Sequence, residues 1–341
     1  MGQEPDILMK ALLSKRPGGP RSLVLEDVPV PVPAPGEALV RVHAVGVNFP
    51  DVLIIEDKYQ YKPQRPFSPG GEFAGVVERL GEACQGVAPG DRVLATVTHG
   101  AMAECVSVKQ RDLIKIPDQM PFDEAAAFVF TFGTSYHALN DRAALKAGET
   151  VLILGAAGGV GMAALQLAKA MGARVVAAVS SPRKAELCRA MGADHVLVYD
   201  SDPAGSDTQR ALAARFKEAV GPAGADVIYD GVGGAYAEAA LRAIAWSGRY
   251  LVVGFASGEI PRVPLNLALL KGCDIRGVFY GAWCEKFPER RRSEVDELLG
   301  LYARGIIKPY IAERFPLGRG ADAIAHLAGR SALGKVVVTI P

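Results

Sequence analysis

Residues 151–161 read Val-Leu-Ile-Leu-Gly-Ala-Ala-Gly-Gly-Val-Gly, and no other stretch limits the possible folds as strongly. The apolar run 151–154 has the length and composition of a buried parallel strand. A glycine-rich turn follows, and residues 162–171 read as a helix with little polar surface. Strand, glycines and helix in that order form the context in which a glycine pattern points to a dinucleotide site. Glycines let backbone N–H groups approach a pyrophosphate, and the helix N-terminus presents a positive dipole end. Against the pattern G-x-G-x-x-G, Ala156 stands at the first glycine position. Gly158 and Gly161 stand at the second and third, with Gly159 and Val160 between them. A tight strand-to-helix turn with no ligand is the plainer reading of the same residues.

The next strand, 173–179, adds a chemical constraint. An NAD site places Asp or Glu near the end of this strand, to bind the ribose 2′-hydroxyl. Here the end reads Ser180-Ser181-Pro182-Arg183-Lys184, two hydroxyls and two cations without a carboxylate. A 2′-phosphate carries about two negative charges near neutral pH, so this end suits NADP over NAD. A helix start also fits, with Ser181 as N-cap, Pro182 at the first helical position and the basic residues solvated. The two readings are compatible.

The chain has 341 residues, enough for two domains, and its 50% hydrophobic content supplies a large core. Net charge is +1, and no long basic stripe points to nucleic acid. The densest basic cluster, Arg290-Arg291-Arg292, reads as a solvated helix face. The five cysteines are widely spaced with no C-x-x-C, so neither a disulfide framework nor a zinc knot is expected. Reduced thiols fit the cytoplasm. Residues 1–6 are polar and 7–13 are short and interrupted by Lys10, which does not read as a signal peptide. No apolar stretch reaches the roughly 18 residues of a membrane span.

The first third reads as all-β, with strands at 38–47, 72–80, 92–97, 104–108 and 113–116 separated by turn clusters, a pattern for a small barrel or sandwich. Helical patterns begin at 123–128 and 133–143. From 150 the pattern alternates. Strands 151–154, 173–179, 195–198, 226–229, 249–253 and 274–279 are separated by helices at 160–171, 183–191, 208–220, 235–245 and 263–270. That is a doubly wound parallel sheet, with 201–205 as a polar loop insert. The tail, 287–341, is expected to hold one or two helices and the strand 335–340, and to fold back onto the first domain. Strand 274–279 would be the sheet edge. Its apolar residues and two charges invite pairing with a second copy, so a homodimer is expected.

At this point the residues resemble a known family. The chain is similar to the medium-chain dehydrogenases/reductases, specifically the zinc-free quinone oxidoreductase branch related to zeta-crystallin. The resemblance rests on Gly46-Val47-Asn48-Phe49-Pro50-Asp51, on Tyr59, on the run 66–75, on the glycine turn 156–161, and on Lys184, Gly192-Ala193-Asp194 and Gly334-Lys335-Val336-Val337. It implies a GroES-like β-barrel catalytic domain over 1–131, an NADP-binding doubly wound Rossmann domain over 132–283, and a return to the catalytic domain over 284–341. Zinc alcohol dehydrogenases have a cysteine where Asn48 stands and a histidine where Gly71 stands. Catalytic zinc needs about three Cys, His or carboxylate ligands, and these two residues cannot serve. The resemblance therefore implies chemistry without a metal. Hydride delivery to an acceptor already electron-poor, a quinone or an activated enone, is then the easier task.

The resemblance also implies a site. Asn48 would lie near the nicotinamide ribose and Thr134 near the carboxamide. Gly254, Phe255 and Phe279 would contact the ring, and Val232 would line the ribose. For Phe255 and Phe279, core packing is the alternative. Ser180 or Ser181, Lys184, Tyr199 and Arg330 would surround the 2′-phosphate, with the Tyr199 phenol covering the adenine. Arg330 also reads as an ordinary surface arginine. Asp51 and Tyr59 are the candidates nearest the substrate. Asp51 either moves a proton or merely orients Asn48 and caps a helix, and Tyr59 would hydrogen-bond a carbonyl oxygen. Relatives often carry a second tyrosine where Leu53 stands, so the pocket wall here is apolar. The five histidines match no catalytic pattern. An enoyl-thioester or alkenal reductase, and a non-catalytic NADPH-binding protein, are alternatives that share the fold.

Overall fold

The computed structural model describes residues 7–199 and 205–341. The N-terminal stretch 1–6 and all but the last residue of the polar insert 201–205 lie outside the described residues. Fifteen strands are named in chain order: β1 (Leu8–Leu13), β2 (Val24–Pro29), β3 (Glu37–Val47), β4 (Glu72–Leu80), β5 (Arg92–Thr96), β6 (Cys105–Lys109), β7 (Leu113–Lys115), β8 (Thr150–Leu154), β9 (Arg174–Val179), β10 (His195–Val198), β11 (Ala225–Asp230), β12 (Ile244–Val252), β13 (Asp274–Gly277), β14 (Ile311–Pro316) and β15 (Lys335–Thr339).

The chain divides into two units. One runs to Phe130 and resumes at Pro309, and the other is Thr131–Lys308. The first is a seven-stranded sheet in the order β14-β15-β3-β4-β5-β7, with β6 also paired to β3 and a separate β1–β2 hairpin. Its long strand β3 buries Val40, Val42, Val45 and Val47 and pairs antiparallel with β4, β6 and β15. Three strands, β1, β2 and β14, carry no clear signal in the sequence. β2 and β14 contain no fully buried residue, so the alternation that marks a half-buried strand is missing from them.

The second unit is one all-parallel sheet ordered β10-β9-β8-β11-β12-β13. The chain runs outward from β8 in one direction and from β11 in the other. The switch point between them is where doubly wound sheets bind ligands, and the glycine turn leaves β8 there. The helix Gly159–Ala170 after that turn is buried from Gly161 through Ala168, as an almost wholly apolar helix must be. As expected, β13 is the edge strand.

The second unit ends later than expected. The return to the first unit comes at Pro309, not at 284. The helix Pro288–Ala303 carries Glu297, which accepts the Tyr136 hydroxyl at 2.7 Å. The Gln166 carboxamide then bonds both the N–H and the C=O of Lys308, at 2.8 and 3.0 Å. A polar-looking helix gives no sign in sequence of which domain its buried stripe will join. No helix among the described residues is long and apolar enough to cross a membrane.

Candidate functional site

The glycine turn does not follow the expected register. The left-handed residue that reverses the chain after β8 is Gly155, with φ +67°, one position before Ala156. Ala156 is buried, with φ outside the left-handed range, so an alanine is tolerated where the pattern asks for glycine. Gly161 is required by packing, since a Cβ there would lie 2.3 Å from the Gly155 carbonyl oxygen and 2.8 Å from Ala156 Cα. Gly158 is different. It is the N-cap of the helix, and a Cβ on it would meet nothing closer than 3.4 Å. Nothing in the turn's own packing explains that glycine. Gly159, Val160 and Gly161 form the first helical turn, where backbone N–H groups lack intrahelical acceptors.

At the end of β9, Ser181 caps the helix Pro182–Ala190 by accepting the Lys184 N–H at 3.3 Å. The Lys184 ammonium lies 3.1 Å from Ser180 Oγ, and burial lowers its pKa. The helix-start reading thus describes this segment, and the same turn brings two hydroxyls and a cation together.

Asp230 at the end of β11 organises the opposite wall. It is buried, and Oδ1 accepts the N–H groups of Val232 and Gly233, both at 2.8 Å, while the Tyr250 hydroxyl donates to Oδ2. Val232 packs against the glycine turn, its Cγ2 lying 2.9 Å from where a Cβ on Gly155 would be. Gly254 follows β12 with its N–H on the Asp230 carbonyl, and Phe255 is half-buried against Gly233. Phe279 is 59% exposed, so core packing does not describe it. Thr134 is buried between two wide, π-type turns, Val129–Gly133 and His137–Arg142. Its neighbour Ser135 donates to the Val160 carbonyl at 2.9 Å and meets the Tyr229 hydroxyl at 2.9 Å. That places the Thr134 segment against the start of the glycine-turn helix.

One expected residue, Tyr199, sits elsewhere. Tyr199 is buried in the core of the second unit, its ring 4.8 Å from Tyr236 and close to Phe216, with its oxygen facing the Gly155 N–H. It has no open ring face to lay over an adenine, because the cluster around Tyr236 and Phe216 takes that surface. Arg330 belongs to the first unit, where it follows the helix Gly320–Ala328 in a left-handed conformation, φ +58°.

The first unit contains a buried polar cluster. Asn48 Nδ2 donates to the Gly46 carbonyl at 3.1 Å and to Glu72 Oε2 at 3.0 Å, and Oδ1 accepts from Lys335 Nζ at 2.6 Å. The lysine can only donate, so the carboxamide has one possible orientation. Lys335 spends its other two donors on the Val47 carbonyl and on Glu72 Oε2, each at 3.2 Å. Glu72 Oε1 accepts the Phe130 N–H at 2.8 Å. Both ends of this ion pair are buried, with side-chain exposures of 5% and 0%. Every hydrogen of the ammonium is thus held by the protein, so Lys335 is a fixed charge with no donor left for a substrate. Asp51 beside it accepts one backbone amide on each oxygen, the Asn48 N–H at 2.8 Å and the Gly70 N–H at 3.0 Å. Burial pushes Asp51 up to about 6 against the lowering effect of those two bonds and of Lys335. Burial, and then the Asp51 charge, raise the Tyr59 phenol, which keeps it a neutral hydroxyl.

Comparison with known proteins agrees with this construction. The alcohol dehydrogenase GroES-like domain model matches residues 34–118, and the zinc-binding dehydrogenase model matches residues 159–300. A quinone oxidoreductase-like protein 2 homolog from Nematostella vectensis is 38% identical over 302 residues, 88% of this chain and 80% of the relative. The chain belongs to the quinone oxidoreductase family of medium-chain dehydrogenases/reductases. The quinone oxidoreductase of Pseudomonas aeruginosa is 35% identical across 94% of this chain and 96% of its own length. The Escherichia coli quinone oxidoreductase, solved in complex with NADPH, matches with a TM-score of 0.88 at 28% identity, covering 97% of this chain and 99% of that one. For this member of the quinone oxidoreductase family, the resemblance drawn from the sequence and the expected pair of folds both hold. Sequence reasoning missed Glu72, Lys335, Asp230 and Ser135 as organising residues. Glu72 and Lys335 stood inside the runs that carried the resemblance, but nothing in either run says that they meet.

Proposed function

We propose that this chain is an NADPH-dependent oxidoreductase that works without a catalytic metal and transfers hydride to a quinone or an activated enone. The saturated cluster of Asn48, Glu72 and Lys335 carries the proposal. Asn48 and Gly71 stand where zinc ligands would be needed, and the cation beside Glu72 is an ammonium that the protein itself supplies. With no free positive charge there to steady an alkoxide, an electron-poor acceptor is the substrate that fits. When bound, NADPH supplies the hydride.

The chain's own residues do the rest. The N–H groups of Gly159, Val160 and Gly161 receive the pyrophosphate, and Gly158 leaves room for its approach. Ser180, Ser181 and Lys184 bind the 2′-phosphate. Thr134, Val232, Gly254 and Phe255 orient the nicotinamide end. Asn48 keeps one lone pair on Oδ1 for a ribose hydroxyl. Asp51 positions the Asn48 backbone through the N–H that its Oδ2 accepts. Tyr59 donates to the acceptor's carbonyl oxygen as charge develops there.

A homodimer formed across β13 completes the proposal. Ile275 on that edge is 42% exposed, and Trp246, Leu269 and Leu270 nearby are exposed at 74%, 79% and 67%. The Val278 N–H is not an edge donor, since it bonds Val252 within the sheet at 2.9 Å. Alternation turns the Ile275 N–H outward instead, so Ile275→Lys is the substitution that should yield monomers by light scattering. The five cysteines, all free thiols, fit a reducing cytoplasm. The deciding experiment is an NADPH-oxidation screen over quinones, enones and enoyl-CoAs, with and without a chelator. Turnover of a quinone or enone that the chelator leaves intact is expected. Activity that needs added zinc, a clear preference for enoyl-CoA, or tight NADPH binding without turnover would overturn the proposal.

A further inference from the structure

We propose that His137, Asp141 and Glu294 form a binding site for a divalent transition-metal ion in the second unit. His137 and Asp141 lie one turn apart in the stretch His137–Arg142, and Glu294 faces them from the helix Pro288–Ala303. One ligand atom from each lies within 4.8 Å of the others. Metal–ligand bonds of about 2.0–2.2 Å separate neighbouring ligand atoms by roughly 3–4 Å, so the three need only a small inward shift. His137 is 3% exposed and Glu294 is 8% exposed.

The independent sign of a missing cation is Glu294 itself. Its Oε2 is buried and meets no donor among the described residues, only the Asp141 carboxylate, whose Oδ2 is itself held by His137 Nδ1 at 3.0 Å. Two carboxylates turned toward each other beside an imidazole repel unless a positive charge or a proton lies between them. The Arg290 guanidinium reaches Asp141 Oδ2 at 3.1 Å, but its side chain is 57% exposed and meets the pair from outside. It also stacks over Trp283, 5.3 Å from the ring, where it can rest when it leaves Asp141. Trp283 in turn covers the His137 ring, with centroids 4.6 Å apart, and shields that side from water. One imidazole nitrogen, two carboxylate oxygens and no thiolate suit Zn²⁺, Co²⁺ or Ni²⁺, with water at the remaining positions.

The test is equilibrium dialysis of the full chain with Zn²⁺ and with Co²⁺, followed by thermal unfolding with and without each ion. One equivalent should bind and raise the melting temperature, and the Co²⁺ spectrum should lack thiolate charge-transfer bands. Asp141→Asn should weaken binding by at least about tenfold. Arg290→Met should tighten it, because a competing cation is gone. Glu294→Gln should abolish the rise that metal produces. A purely structural role for Glu294 predicts a lower melting temperature and no metal effect in any variant. No saturable binding, or binding that survives Glu294→Gln, would overturn the proposal. These readouts are independent of turnover, so they stand whatever the NADPH screen returns.

Discussion

The glycine turn of the second unit and the Asn48 cluster of the first put polar groups in place by opposite means. The turn uses backbone N–H groups from a few consecutive residues, and its side chains mostly make way. The cluster uses side chains from β4, β15 and the segment after β3, drawn from residues as far apart as 48 and 335 and locked by a buried ion pair. The turn's cost is conformational and local, met by glycine at 155 and 161. The cluster's cost is desolvation, offset only if all of its members are present. A local device should therefore tolerate change wherever its own packing leaves space, and a distributed one should fail when any member is removed.

The largest test of that contrast is Lys335→Met. It leaves Glu72 charged and buried without its cation, which should cost about 3–5 kcal/mol in denaturant unfolding. Adding Glu72→Gln should recover part of the loss. A cost of the single variant below about 1 kcal/mol would mean that the pair is solvated and the cluster not cooperative.

Next is Lys184→Ala. It should remove one charge-assisted contact worth roughly 1.5–3 kcal/mol, or about 10- to 150-fold in NADPH affinity, with NADH affinity hardly changed. Equal losses for both cofactors by fluorescence titration would show that Lys184 does not read the phosphate.

Within the turn, two alanines separate packing from ligand approach. Gly161→Ala drives a Cβ to 2.3 Å from a backbone oxygen and should destabilise by roughly 1–3 kcal/mol. Gly158→Ala meets nothing nearer than 3.4 Å. It should leave stability within about 0.5 kcal/mol and still weaken NADPH binding. If Gly158→Ala binds NADPH normally, the turn is structural only.

The smallest effect is a pH slope. Asp51 titrates at about 6 in the folded protein, mainly because it is buried, against about 3.9 in an unfolded chain. Between those values the folded state keeps a proton that the unfolded state has lost. This group's contribution is therefore full below about pH 4 and is lost as pH rises through about 6, by at most roughly 1.4 kcal/mol per unit. Asp51→Asn should flatten that part of the stability profile in urea titrations. An unchanged slope would remove Asp51 as its source.

Legibility in the sequence followed the same divide. The parallel sheet was readable from its apolar runs, because they are written in neighbouring residues. The hairpin β1–β2 was not readable, since β2 has no fully buried residue to mark it as a half-buried strand. The domain end at Lys308 was not readable either, since the Gln166 clasp joins residues 142 positions apart. Tyr199 looked available because it follows a strand directly, yet Phe216 and Tyr236 from two later helices close over it.

By itself, then, the sequence determined the dinucleotide-type sheet, the family and the absence of zinc ligands at positions 48 and 71, all properties of residue type at short spacing. Only the tertiary structure decided that the left-handed turn falls on Gly155, that Asp51 is spent on two backbone amides, and that Lys335 is the cation fixing Asn48. Each of these depends on which distant groups share a volume closed to water, where an unpaired charge or N–H is too costly to leave and a partner must be found across the fold.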